Sequence, residues 1–200
     1  MAFERIAPQL NQLLVHLSSA TSLETAHTTS HNTQSFITSN FHKHSLKMAT
    51  EAAVRKFFSS SAYAVAGASS NPAKFGHRVF VWYLHHDLPV TPINPGSETV
   101  SALNKDHATV PNVTALSNPT QTSLSVITPP AVTLQLLREA KEKGIPSVWL
   151  QPGSFDAAVL EFANAPGTFE AVVAGDGGRG HEGWCILVDG ERGLQAAGKL

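Results

Sequence analysis

A single cysteine, Cys185, denies the 200-residue chain an internal disulfide and fits a reducing compartment. Charge is sparse and balanced: 14 Lys and Arg stand against 15 Asp and Glu, a formal net charge of −1. Without a clustered basic surface there is no electrostatic case for nucleic acid as a partner. Long apolar runs are missing as well. None approaches the roughly 20 residues of a membrane-spanning helix, so a soluble chain with no membrane partner is expected. Two phosphate-binding signatures are also lacking. No Gly-x-Gly-x-x-Gly turn follows a strand, and no Lys-Ser pair closes a glycine-rich loop of the kind found in ATP hydrolases. What is present is 42% hydrophobic residues, sufficient for one well-buried domain with room for an unfolded extension.

The composition changes at Met48. Residues 1–47 are read as a disordered leader or tail, because Thr21 to Ser45 is dense in Ser, Thr, His and Asn without sustained periodicity. The Ser/Thr-rich, acid-poor character also fits a weak transit peptide, although Arg5 is its only arginine. A cytoplasmic location is expected, or a mitochondrial one if this leader is a targeting segment. Met48 itself reads as a natural start, with Thr50 able to cap a helix carrying Val54, Phe57 and Phe58.

Residues 48–200 form the second unit. From Ser61 strand-like and helix-like segments alternate, the pattern of a parallel sheet with crossover helices. Strands are expected at Ala62–Gly67, Leu88–Asn94, Thr122–Thr128, Pro146–Leu150 and Phe169–Ala174. The prolines of the second place it at an end or irregular position. One helix carries Phe75, Val79 and Tyr83. A later one carries Val132, Leu136 and Ala140 with Thr133 and Leu137 alongside, a Glu139–Lys143 pair and Gly144 as its C′ residue. Ser97 to Pro119 is weakly patterned and reads as a short helix or irregular excursion. The apolar run Trp184–Val188 reads as an edge strand or a cover for the sheet. The whole is an α/β, doubly wound, mostly parallel five-stranded sheet with helices on both faces.

In such sheets ligands lie beyond the carboxyl ends of the strands. Those ends are Gly67–Gly76, Asn94-Pro95-Gly96, Thr128-Pro129-Pro130 and Gln151-Pro152-Gly153. In the first, Gly67 admits close backbone approach, Ser69 and Ser70 offer hydroxyls and Lys74 supplies positive charge. The same residues also read as a tight turn with Asn71 as N-cap and Pro72 at the first helical position. A nicotinamide dinucleotide would require an acidic residue ending the second strand, where Ile93-Asn94-Pro95 stands instead. No catalytic set stands out. Cys185 beside His181 reads more readily as a small core residue than as a nucleophile, and Asp176 with Glu182 as loop charges. Gly175–Gly180 with Arg179 reads equally as an anion-binding nest or a surface loop.

Together these segments resemble the CoA-binding-domain family, the stand-alone relatives of the N-terminal domain of the succinyl-CoA synthetase alpha subunit. The resemblance runs from about Ala62 to Val173. It rests on Val65-Ala66-Gly67-Ala68-Ser69-Ser70-Asn71-Pro72-Ala73-Lys74-Phe75-Gly76, Pro92-Ile93-Asn94-Pro95, Thr128-Pro129-Pro130 and Val148-Trp149-Leu150-Gln151-Pro152-Gly153. It implies a Rossmann-like domain binding coenzyme A or an acyl-CoA, with the pyrophosphate over the first loop. The implied contacts are Gly67, Ala68, Ser69, Ser70, Lys74, Phe75, Gly76, Asn94, Pro95, Thr128, Pro129, Pro130 and Gln151. Ser70 stands where the family commonly has a basic residue. The synthetase's phosphorylated histidine belongs to a second domain that this chain is too short to contain, so binding without catalysis is expected. The alternative is a small enzyme or a dinucleotide-binding, oxidoreductase-like protein on the same site. A homodimer or a protein partner is compatible with the sequence.

Overall fold

The computed structural model describes residues 51–175 and 184–200. The leader, Thr50, and the readings placed on Asp176, Arg179, His181 and Glu182 lie outside the described residues.

A helix over residues 51–58 (α1) leads into β1 (Ala62–Ala66), α2 (Phe75–His85) and β2 (Val90–Ile93). A hairpin of β3 (Thr99–Ala102) and β4 (Lys105–Ala108) and two 3-10 turns follow. Then come β5 (Thr122–Val126), α3 (Pro130–Glu142), β6 (Ser147–Leu150), α4 (Ala157–Asn164), β7 (Ala171–Ala174) and α5 (Ile186–Ala196). The main sheet has five strands in the order β2-β1-β5-β6-β7, every neighbouring pair parallel. After β1 the chain crosses to one side to lay down β2, then returns past β1 to lay down β5. The reversal of winding falls between β1 and β5 and sends helices to both faces. The doubly wound α/β fold expected from the alternation is the fold observed. Pro92 sits on the edge strand β2, where a missing N–H is tolerated.

Strand alternation assigns the two cores. Tyr63 and Val65 point to the face covered by α1, α2 and α5, whereas Ala64 and Ala66 point to that covered by α3 and α4. The first face holds most of the aromatic residues. The Trp149 ring meets Phe57 at 5.3 Å and Phe58 at 5.6 Å between centroids, both edge-on, and its indole N–H donates to the Trp184 carbonyl. Truncating so large a buried ring costs about 3–5 kcal/mol.

Two sequence readings are corrected and one left open between two alternatives is decided. The weakly patterned stretch carries the β3–β4 hairpin, because Val100 and Ala102 alternate inward while Leu103 and Asn104 turn with φ of 51° and 59°. That is the type I′ backbone without the glycine that usually announces it. Helix α2 begins three residues later than an Asn71 cap would place it. Lys74 is the N-cap, and the Asn71 side chain accepts from the Ala73 amide within the preceding turn. The run from Trp184 is no strand. It enters α5, which covers the sheet, and Gly190 and Gly193 let that helix approach Trp82, Phe58 and Val54 closely.

Candidate functional site

Register brings the strand ends to one level. Ala66 pairs with Ile93 on one side and Val126 on the other, and Val126 pairs with Leu150. The loops that follow therefore stand side by side at the carboxyl edge of the sheet.

The loop after β1 is shaped by two glycines. Gly67 has φ +94°, a conformation that side-chain-bearing residues rarely adopt. Gly76 has no space for a side chain, since a Cβ there would lie 1.9 Å from the Gly67 carbonyl oxygen. The first turn of α2 thus rests directly on the loop. Among the described residues, the amides of Ala68, Ser69 and Ser70 donate to no backbone carbonyl, and they sit beside the positive end of the α2 dipole. Side chains fix the rest of the loop. Ser69 Oγ accepts from the Asn71 amide, and His77 Nδ1 donates to the Ser69 carbonyl at 2.9 Å. Ser70 Oγ accepts from the Ser101 amide at 2.9 Å, tying the loop to the β3–β4 hairpin. Lys74 and Arg78 are both exposed one turn apart on α2, with Arg78 over the Phe75 ring at 5.5 Å. Arg78 is a second cation that the sequence reading missed.

Beside this loop lies a pocket of about 260 Å³ between β1, β2, β5 and α3. Of the residues expected to form a site, Gly67, Ala68, Asn94, Pro95 and Thr128 line it together. Asn94 is chiefly a brace: its amide donates to the Ala68 carbonyl and its oxygen accepts from Gly96. Thr128 and Thr133 bond to one another and start α3, with Pro129 as N-cap and Pro130 at the first helical position. Ser69, Ser70, Lys74, Phe75, Gly76, Pro129 and Pro130 are not part of the pocket wall. Gln151 does not line the pocket either. It is fully buried, donating to Ser125 Oγ and accepting from the Ile186 amide that opens α5.

The wall also has members that sequence reasoning missed: Pro111 to Val113, and Val132, Gln135, Leu136 and Glu139 of α3. Helical spacing alone turns Val132 and Leu136 toward the core, yet the buried stripe of α3 is Thr133, Leu137 and Ala140. Two apolar stripes on one short helix were the available signal, since a helix packing on a sheet needs only one. Glu139 accepts from Gln135 Nε2 at 3.2 Å instead of pairing with Lys143. Among the described residues no lysine or arginine lines the pocket. Cys185 lies at the start of α5, where burial pushes its thiol up and weakens it as a nucleophile. Among the described residues no helix is long and apolar enough to cross a membrane.

A doubly wound α/β domain with a glycine-shaped loop and an apolar pocket at its switch point defines a Rossmann-like class of architecture. Within that class the chain belongs to the CoA binding domain family, which matches residues 61–177. No curated protein matches it. A structure described as a hypothetical protein from Pyrococcus horikoshii OT3 is similar, at 23% identity and a TM-score of 0.59. It covers 74% of this chain and 94% of that one. A conserved hypothetical protein from Pyrococcus furiosus is 28% identical with a TM-score of 0.52, over 64% and 97% of the two chains. A Thermus thermophilus protein has 24% identity and a TM-score of 0.56, over 72% and 98%.

Proposed function

We propose that the chain binds coenzyme A or an acyl-CoA across the carboxyl edge of the sheet and performs no chemistry on it. In this reading the pyrophosphate lies over the Gly67–Ser70 amides and the α2 N-terminus. The adenine end enters the pocket, and the pantetheine arm runs outward along the strand-end loops. The observation that carries the reading is the contact of Gly76 with the Gly67 carbonyl, which sets bare backbone and a helix end beside an apolar slot. Lys74 and Arg78 supply the charge that the loop itself lacks. The pocket is smaller than usual for a whole drug-sized ligand, in keeping with only the ring end being enclosed. A nicotinamide dinucleotide fits less well, because β2 is followed by Asn94, whose side-chain amide is engaged with Ala68 and Gly96.

Thermal denaturation scans with CoA, acetyl-CoA, NAD and ATP test this. The expected result is a rise in midpoint with CoA or acetyl-CoA, since a ligand at a hundred times its Kd adds about 2.7 kcal/mol. A shift with NAD and none with CoA would refute it.

A further inference from the structure

We propose that Glu139, braced by Gln135, is a specificity-determining residue that reads the hydrogen-bond donor on the edge of the bound purine. The inference rests on the nucleotide reading of the site. Four residues of α3 at the spacing of one helical face, Val132, Gln135, Leu136 and Glu139, form one wall of the pocket. Val132 and Leu136 are apolar and suit a ring face, and Gln135 and Glu139 alternate with them along the helix. Gln135 Nε2 donates to Glu139 Oε1, which fixes the carboxylate and leaves its other oxygen and the Gln135 carbonyl as acceptors.

The remaining polar side chains of the lining are largely used up. Asn94 is held by Ala68 and Gly96, Thr128 by Thr133, and the Asn112 oxygen by the Ala115 amide and the Thr114 hydroxyl, so that the donor left on this side is Asn112 Nδ2, across the pocket from α3. With no lysine or arginine in the wall among the described residues, the pocket is apolar with an acceptor-rich rim on its α3 side. Such a rim favours an uncharged ring carrying an amino group. It disfavours a carbonyl set at that position, because two acceptors would then face one another without a proton between them, and a 6-oxopurine would have to shift in the pocket to offer its N1–H instead. The pocket is accordingly selective for a 6-aminopurine over a 6-oxopurine, and phosphate groups are left to the α2 side.

The test is a calorimetric titration of ADP, inosine diphosphate and CoA into the wild-type chain and Glu139→Gln. Wild type is expected to bind ADP about tenfold more tightly than inosine diphosphate. The amide that replaces the carboxylate can donate as well as accept, so the preference should fall to within about twofold. A mere loss of packing would weaken both nucleotides alike and leave their ratio unchanged. A flat ratio in wild type, or an unchanged ratio in the variant, overturns the inference while CoA binding still stands. Absence of binding by both CoA and ADP overturns the site reading and this inference with it.

Discussion

Gly76 is the residue on which the site's geometry turns. Its missing side chain lets α2 begin directly on the Gly67 carbonyl, so Gly76→Ala must push helix and loop apart. The expected loss is roughly 3 kcal/mol of stability, at the upper end for overpacking, measured by urea unfolding, with CoA affinity reduced alongside. Ser70 is a smaller case. Its hydroxyl stands where the family commonly has a basic residue, and here it anchors the loop to Ser101 instead of offering charge. Ser70→Ala should cost about 1 kcal/mol at most. Cys185 has its thiol held up by burial. Alkylation at neutral pH should therefore be slow in the folded chain and accelerate on unfolding; equal rates in both states would contradict that.

At the scale of elements, α2 presents the charge and α5 packs beside it on the same face of the sheet. Lys74→Ala and Arg78→Ala should each weaken CoA several-fold, with the effect shrinking at high salt, as expected of exposed cations near phosphate. Gln151→Ala should behave in the opposite way. It leaves Ser125 and the Ile186 amide without their partner, costing about 2 kcal/mol, while CoA affinity stays within about threefold. The strands and most helices were legible because apolar alternation and helical spacing are local signals. The β3–β4 hairpin was not, since Leu103-Asn104 makes its turn without glycine. The pocket's α3 wall was illegible for a different reason: Val132 and Leu136 are apolar whether they face core or ligand, and only the packed structure separates the two. The first loop was legible as a strand–turn–helix unit. Its helix start was not, because Asn71 and Pro72 satisfy a cap pattern while folding as a turn of their own.

For the molecule as a whole, the two tyrosines tie stability to alkaline pH. Tyr63 and Tyr83 are the chain's full complement, and burial raises both above the ordinary value of 10. A raised value in the folded state means the neutral phenol is favoured by folding. The associated stability is thus complete below about pH 10 and is lost as pH climbs beyond it. Tyrosinate absorbance should appear only together with loss of the far-ultraviolet helical signal; ionisation near pH 10 in an intact fold would contradict the burial. The central claim, however, is that CoA sits at the switch point between β1 and β5. The most direct measurement is amide chemical-shift mapping of the labelled chain during a CoA titration. The expected result is a contiguous set of perturbed amides at 66–70, 94–95, 111–113 and 132–139. Perturbations confined to the cleft between α1 and α5 near Glu51 and Arg192, or none at saturating CoA, would contradict it.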